Sequence, residues 1–326
     1  MAARGIGDVV WHVPILRRLA ALTPEGQVTF LTRPTTHAAD LLRHDPAVAQ
    51  VAYVEFQGKR RKVREIAALT GAFRDLRPRA VWVLDQTAQP SFAAFLAGVP
   101  ERHGTGEGRL LQIATLTRGP VLPYAKRDRR RHQIERLTHF MDVWGAPKID
   151  GRLLIVGETE RQEIRRRFAG LPRPWVGLGL TASHPSKVWP ADRFAPLAER
   201  VAAGGTAFFV GGPADKALAE ATAQAVGASC TGIAVCDLRL NQLMALLEAC
   251  DLYVGNDSGP LNVAAGVGAP ALGLFGPTPP LGYVSNLTCL VSSDRTMVSI
   301  TPDQVAERAL SMLAGAAGQA RLEVSG

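Results

Sequence analysis

The sequence predicts an α/β protein made of two doubly wound halves, each with a parallel sheet. Three observations predict it. Short apolar, β-branched or aromatic runs alternate with longer stretches of helical periodicity along the 326 residues, the pattern of repeated βαβ units. The length suits two domains of about 100 to 200 residues each. The polar motifs fall after an apolar run and before a helix, which is where open α/β sheets bind their ligands.

Buried strands are expected at Val28 to Leu31, Val51 to Val54, Ala80 to Leu84, Val176 to Leu180, Ala207 to Val210, Leu252 to Val254 and Ala271 to Phe275. Helices are expected at Pro14 to Leu22, Thr35 to Leu42, Lys62 to Phe73, Ser91 to Leu96, Ile134 to Val143, Ala191 to Ala203, Ala214 to Val226 and Asn241 to Ala249. The joint falls in Gly145 to Arg173, which holds one charged helix, Glu158 to Phe168. A tail helix, Pro302 to Leu313, starts with Thr301 as N-cap and proline in its first position.

With 47% hydrophobic and 20% charged residues, disordered, collagen-like and disulfide-scaffold classes are excluded. Residues 1–150 carry 23 Lys+Arg against 14 Asp+Glu, and the remainder 14 against 15, so the halves hold +9 and −1. The first half should meet an anionic partner: nucleic acid, a phosphorylated or acidic substrate, or a membrane surface. Cys230, Cys236, Cys250 and Cys289 form no C-x-x-C pair and have no histidine at zinc-ligand spacing, so free thiols in the cytoplasm are expected. Asp8, His12, Arg17 and Arg18 interrupt any signal-peptide core. Residues 258–293 are uncharged, yet glycines and prolines break them too often for a membrane span.

Four segments carry the chemistry. Gly5-Ile6-Gly7-Asp8-Val9-Val10 reads as a tight turn that projects Asp8 toward a ligand or uses it as a helix cap. Thr181-Ala182-Ser183-His184-Pro185-Ser186-Lys187 offers hydroxyls and a point charge suited to phosphate, or is a solvated loop. In Asn256-Asp257-Ser258-Gly259-Pro260 a strand ends and a small-residue helix begins, whose free amides and dipole can hold a diphosphate. Phe275-Gly276-Pro277-Thr278 ends the next strand.

Together these residues resemble glycosyltransferase family 9, the ADP-heptose:lipopolysaccharide heptosyltransferases. Gly7-Asp8-Val9-Val10 with Pro14, Asp85-Gln86 with Ser91, Arg102-His103-Gly104, His132 with Glu135-Arg136, Ser186-Lys187-Val188-Trp189-Pro190, Asp257-Ser258-Gly259 with Ala264-Ala265, and Phe275-Gly276-Pro277-Thr278 match its motifs in order.

The resemblance implies a GT-B fold, two Rossmann-like domains facing across a cleft. Residues 1–150 would bind the acceptor and 151–301 the nucleotide sugar, with 302–326 returning to the first domain. It implies an inverting transfer in which Asp8 would be the general base. Thr181, Ser183, Lys187 and the amides at Ser258 and Gly259 would hold the diphosphate, Asp257 the sugar hydroxyls or the helix terminus, and Asp215 the ribose. The acceptor would be an acidic glycolipid at the cytoplasmic face of the inner membrane, met by the basic runs at 59–64 and 126–132, with Arg60, Arg61, Lys62 and Arg102 as contacts.

No Asp-x-Asp triplet follows a strand, so neither metal nor other cofactor is expected. Nucleic acid is disfavoured, since neither basic run is interleaved with aromatics. Two departures stand out. Asn262 occupies a position where the family has histidine, and only Met1-Ala2-Ala3-Arg4 precedes Gly5 where the family has a full strand, so a truncated first strand is expected. Three readings stay open: a heptosyltransferase, a relative with another sugar or a protein acceptor, and a non-catalytic nucleotide-sugar binder.

Overall fold

A computed structural model describes residues 5–55, 61–107, 109–117, 119–123, 132–149, 151–280 and 282–324, the side chains of 61, 109 and 316–324 excepted. The chain divides into two units, Met1–Gly151 and Arg152–Gly326.

The first unit runs α1 (Ile6–Ala20), β1 (Val28–Thr32), α2 (Ala38–Leu41), β2 (Val48–Tyr53), α3 (Arg61–Leu76), β3 (Ala80–Val83), α4 (Gln89–Leu96), β4 (Glu101–Gly104), α5 (Arg109–Thr115) and α6 (Gln133–Val143). Side chains alternate across a strand, so each strand feeds two apolar layers. Val28 of β1 and Trp82 of β3 pack with Ile15, Leu19, Leu137 and Phe140 from α1 and α6. Leu31 and Val81 point the other way, onto Leu69, Phe73 and Ala93 from α3 and α4. The two layers are therefore common to both strands. The ladders are parallel, β1 with β2 and β3 with β4, and among the described residues no ladder joins the two pairs. The single sheet expected for this half is thus seen as two parallel pairs.

Helix α1 begins at Ile6, eight residues before the expected start at Pro14, so Ile6 to Val10 are helical after an extended Gly5, and Asp8 lies in the first turn. Pro14 sits inside the helix, where it lacks the amide that would otherwise donate to the carbonyl one turn back.

The second unit runs α7 (Glu158–Arg167), β5 (Trp175–Gly179), α8 (Phe194–Val201), β6 (Thr206–Val210), α9 (Lys216–Gln224), β7 (Thr231–Val235), α10 (Leu240–Ala249), β8 (Leu252–Asn256), α11 (Gly259–Gly266), β9 (Ala271–Phe275), β10 (Leu287–Val291) and α12 (Pro302–Val324). Its six strands form one parallel sheet in the order β10-β9-β8-β5-β6-β7. The four inner strands are buried at every position, as a sheet covered on both faces requires. From β5 the chain goes to β6 on one side and later to β8 on the other. That reversal opens a crevice at the carboxyl ends of β5 and β8.

Thr301 caps α12 as expected. The Gln304 amide donates to its hydroxyl at 3.3 Å, and its own amide donates to the Gln304 side chain at 2.9 Å. Val305, Ala306 and Ala309 bury this helix in the second unit's core with Leu197 and Val201 of α8. The described residues of the uncharged 258–293 stretch hold α11, β9 and β10. Among the described residues, no helix is long and apolar enough to cross a membrane.

Candidate active site

In the second unit the crevice is built from the loops after β5, β6, β8 and β9. Asn256, the last residue of β8, is fully buried and ties the β5 loop down. Its Oδ1 accepts the Trp189 amide at 2.9 Å, and its Nδ2 donates to the Leu180 carbonyl at 2.9 Å. Trp189 is itself buried, and its indole donates to the Ile300 carbonyl at 2.8 Å. A bulky anchor with a satisfied N–H fixes the loop that presents Lys187.

Lys187 Nζ lies 2.6 Å from Asp257 Oδ2, and the Thr278 hydroxyl donates to the same oxygen at 2.7 Å. Three loops thereby meet at one carboxylate. Ser258 follows in extended conformation, and α11 starts at Gly259 with its free amides at the crevice. Thr181 is half-buried and Ser183 is exposed in the β5 loop. Asp215 closes the turn after β6, accepting the Gly212 amide at 2.8 Å. Thr181, Ser183, Lys187, Asp215, Asp257, Ser258 and Gly259, the seven donor-side residues expected from the sequence, lie at the carboxyl ends of one parallel sheet.

Beneath this loop lies a feature the sequence reading missed. The Tyr253 ring on β8 occupies a trough formed by Gly177 and Gly179 of β5 and Gly255 of β8; a Cβ added at Gly177 would meet the ring at 3.0 Å, and one at Gly255 the hydroxyl at 2.6 Å. Burial pushes the Tyr253 phenol well above its ordinary range, with Ser258 acting the other way. Both hydroxyls are buried. The alternating Gly-x-Gly of β5 beside a tyrosine was the available signal. Asn262, one turn into α11, donates to the Ser258 carbonyl at 2.7 Å and accepts the Tyr283 hydroxyl at 2.7 Å.

In the first unit, His12 Nδ1 contacts the Asp8 backbone carbonyl at 2.5 Å, one turn along α1. The ring therefore donates from Nδ1, and its Nε2 is buried. Burial pushes His12 below its ordinary 6.5, while the Asp8 carbonyl and carboxylate act upward. Trp11 meets His132 edge to face at 4.8 Å, and His132 caps α6 by accepting the Ile134 amide at 3.3 Å. Asp8, Trp11, His12 and His132 are thus neighbours. One turn further along α6, Arg136 pairs with Glu107 at 2.8 Å, with both side chains almost fully buried. His12 and Trp11 follow Asp8 at helical spacing, a relation visible only once the helix is known to start at Ile6.

The residues expected to contact an acceptor are less well assembled. Arg60 and the basic run at 126–131 lie outside the described residues, as does the Arg61 side chain, and Lys62 is exposed. The Arg102 guanidinium donates to the carbonyls of Thr115, Val99 and Pro100, so it braces β4.

Comparison with known proteins bears on the fold and the family. The chain is 25% identical over 342 residues to lipopolysaccharide heptosyltransferase 2 of Salmonella typhimurium, covering 94% of this chain and 96% of that protein. Its fold matches a glycosyl transferase family 9 structure from Veillonella parvula with a TM-score of 0.79 at 21% identity, over 96% of this chain and 95% of that one. It also matches the Escherichia coli ADP-heptose lps heptosyltransferase II with a TM-score of 0.74 at 21% identity, over 96% and 97% of the two chains. Both structures share the GT-B fold. The model of glycosyltransferase family 9 (heptosyltransferase) matches residues 76–305, and the chain belongs to that family.

Proposed function

We propose that this chain is an inverting glycosyltransferase that moves heptose from an ADP-activated donor to an acidic lipopolysaccharide inner-core acceptor at the cytoplasmic face of the inner membrane. The observation that carries the reading is the Lys187, Asp257 and Thr278 cluster beside the first turn of α11, in a chain of this family. A departing diphosphate needs prearranged positive charge, and an ammonium with helix amides supplies it electrostatically.

Asp8 takes the proton of the attacking acceptor hydroxyl, a contribution of about 10² to 10⁴ in rate for a general base. Lys187, Thr181, Ser183 and the Ser258 and Gly259 amides hold the diphosphate. Asp257 holds Lys187 until donor arrives and then faces the sugar hydroxyls, while Asp215 binds the ribose. The arrangement uses no metal. Incubating the protein with ADP-heptose and heptose-deficient inner-core glycolipid, without added divalent cation, tests the reading; transfer supports it, and absence of both transfer and ADP binding rejects it.

One observation favours a second reading, in which a family 9 transferase carries another sugar. Asn262, bound to Tyr283, stands where relatives are expected to have a titratable histidine. A thermal-shift comparison of ADP-, UDP- and GDP-sugars decides between them: selective stabilisation by a sugar other than ADP-heptose supports the second reading.

A further inference from the structure

Helix α5 is inside out. Its polar residues point inward: Gln112 is fully buried and donates to the carbonyls of Asp85 and Thr87 at 3.1 Å each, and buried Thr115 donates to the Ser91 hydroxyl at 2.9 Å. Its large apolar residues point outward, with Leu110 84%, Leu111 51% and Ile113 41% exposed. An ordinary surface helix buries its apolar stripe and shows its polar one. The adjoining end of α4 continues the pattern, with Phe95 51% and Leu96 45% exposed. Isolated exposed leucines are ordinary, but five large apolar side chains on two packed helices mark an interaction surface.

We propose that this outward face of α5 and α4 docks onto an anionic lipid bilayer. Charge selects the occupant. The patch belongs to the half that carries +9, and two arginines border its α4 end. The Arg102 guanidinium lies 5.5 Å from the Phe95 ring centre, Arg74 donates to the Leu96 carbonyl at 3.4 Å, and Lys62 and Arg64 are exposed on α3, which packs against α4. Apolar side chains bordered by arginine, on a face next to the exposed basic residues of α3, suit the boundary between acyl chains and anionic headgroups. A protein partner would need matching acids, whereas a bilayer supplies negative charge over its whole face.

The location adds a reason. Gln112 ties the inner side of α5 to the backbone after β3, next to the acceptor-side motif at Asp85. Docking by α5 therefore brings that motif to the lipid surface. This last point rests on the proposed glycolipid acceptor; the docking itself does not.

The test is flotation of the full-length protein with vesicles of phosphatidylcholine alone or mixed equally with phosphatidylglycerol, at about 0.15 M salt. Wild type is expected to float with the mixed vesicles and not with phosphatidylcholine alone. Leu110→Gln/Leu111→Gln, which leaves the charge unchanged, is expected to lower the bound fraction at least tenfold while melting temperature and ADP affinity stay the same. Equal flotation of wild type and variant overturns the proposal, as does failure of wild type to float. So does a dimer, seen by light scattering, that the variant splits without changing vesicle binding, since the face is then a protein interface. Vesicle binding without any sugar transfer rejects the enzymatic reading alone.

Discussion

Lys187 and Asp257 face each other at 2.6 Å across the carboxyl ends of β5 and β8, and Thr278 from the β9 loop joins the same carboxylate. The pair is mostly shielded, with side chains 24% and 16% exposed. An anion arriving at α11 must share Lys187 with Asp257. Lys187→Ala is expected to cost about 1.5 to 3 kcal/mol of ADP binding, the range for a hydrogen bond to a charged group. Asp257→Asn is expected to tighten ADP binding, because it removes the competing charge from beside the helix terminus. Titration calorimetry with ADP measures both, and equal affinities across wild type and the two variants contradict the site.

Tyr253 and the glycine trough make a sharper packing prediction. Gly179→Ala places a methyl group against the Tyr253 hydroxyl inside a fully buried strand, so it should destabilise the protein by about 1 to 3 kcal/mol. In a Tyr253→Val background the same substitution should cost far less, since the ring is gone. Denaturant unfolding of the four proteins gives the coupling. Additive effects would show that the ring does not occupy the trough.

Buried histidines set an acid limit to stability. Burial holds His12 below its ordinary 6.5 and acts the same way on His103, where Glu101 opposes it. In the unfolded chain both take up a proton near their ordinary value, and in the folded chain only at lower pH. As pH falls through the unfolded value the unfolded state binds more protons, so stability drops until the folded value is passed. The denaturant midpoint should fall between about pH 7.5 and about pH 5, and by less in His12→Gln and His103→Gln. A flat wild-type profile contradicts the neutral buried rings.

Glu107 and Arg136 form the most deeply buried ion pair of the first unit among the described residues. Glu107→Ala leaves a guanidinium buried without its carboxylate and should cost about 3 to 5 kcal/mol. Replacing both, as Glu107→Leu with Arg136→Met, should restore much of that loss. Thermal unfolding checks it; a double variant no more stable than Glu107→Ala would place the pair's value in its charges.

How much of this was legible follows burial. The inner strands of the second unit were found within a residue or two, because strands covered on both faces read as continuous apolar runs. The missed strands lie at sheet edges: β7 and β10 flank the second sheet, and β4, with the sequence Glu-Arg-His-Gly, carries no apolar signal. Helix α5 escaped for a different reason. Its apolar residues face solvent and its polar residues the core, so its pattern has no core-facing stripe to detect. The crevice residues Lys187, Asp257, Ser258 and Gly259 were legible because glycine, proline and hydroxyl residues punctuate the strand ends. Tyr253 and His12 were not, since each acts through a neighbour that only the fold brings close.

In the proposed reaction Asp8 activates the acceptor while the second unit holds the donor. Single-turnover transfer from ADP-heptose to inner-core glycolipid, compared between wild type and Asp8→Asn at matched ADP affinity, tests it most directly. The expected result is a loss of about 10² to 10⁴ in rate with donor binding unchanged. Product formed by Asp8→Asn at the wild-type rate would contradict it.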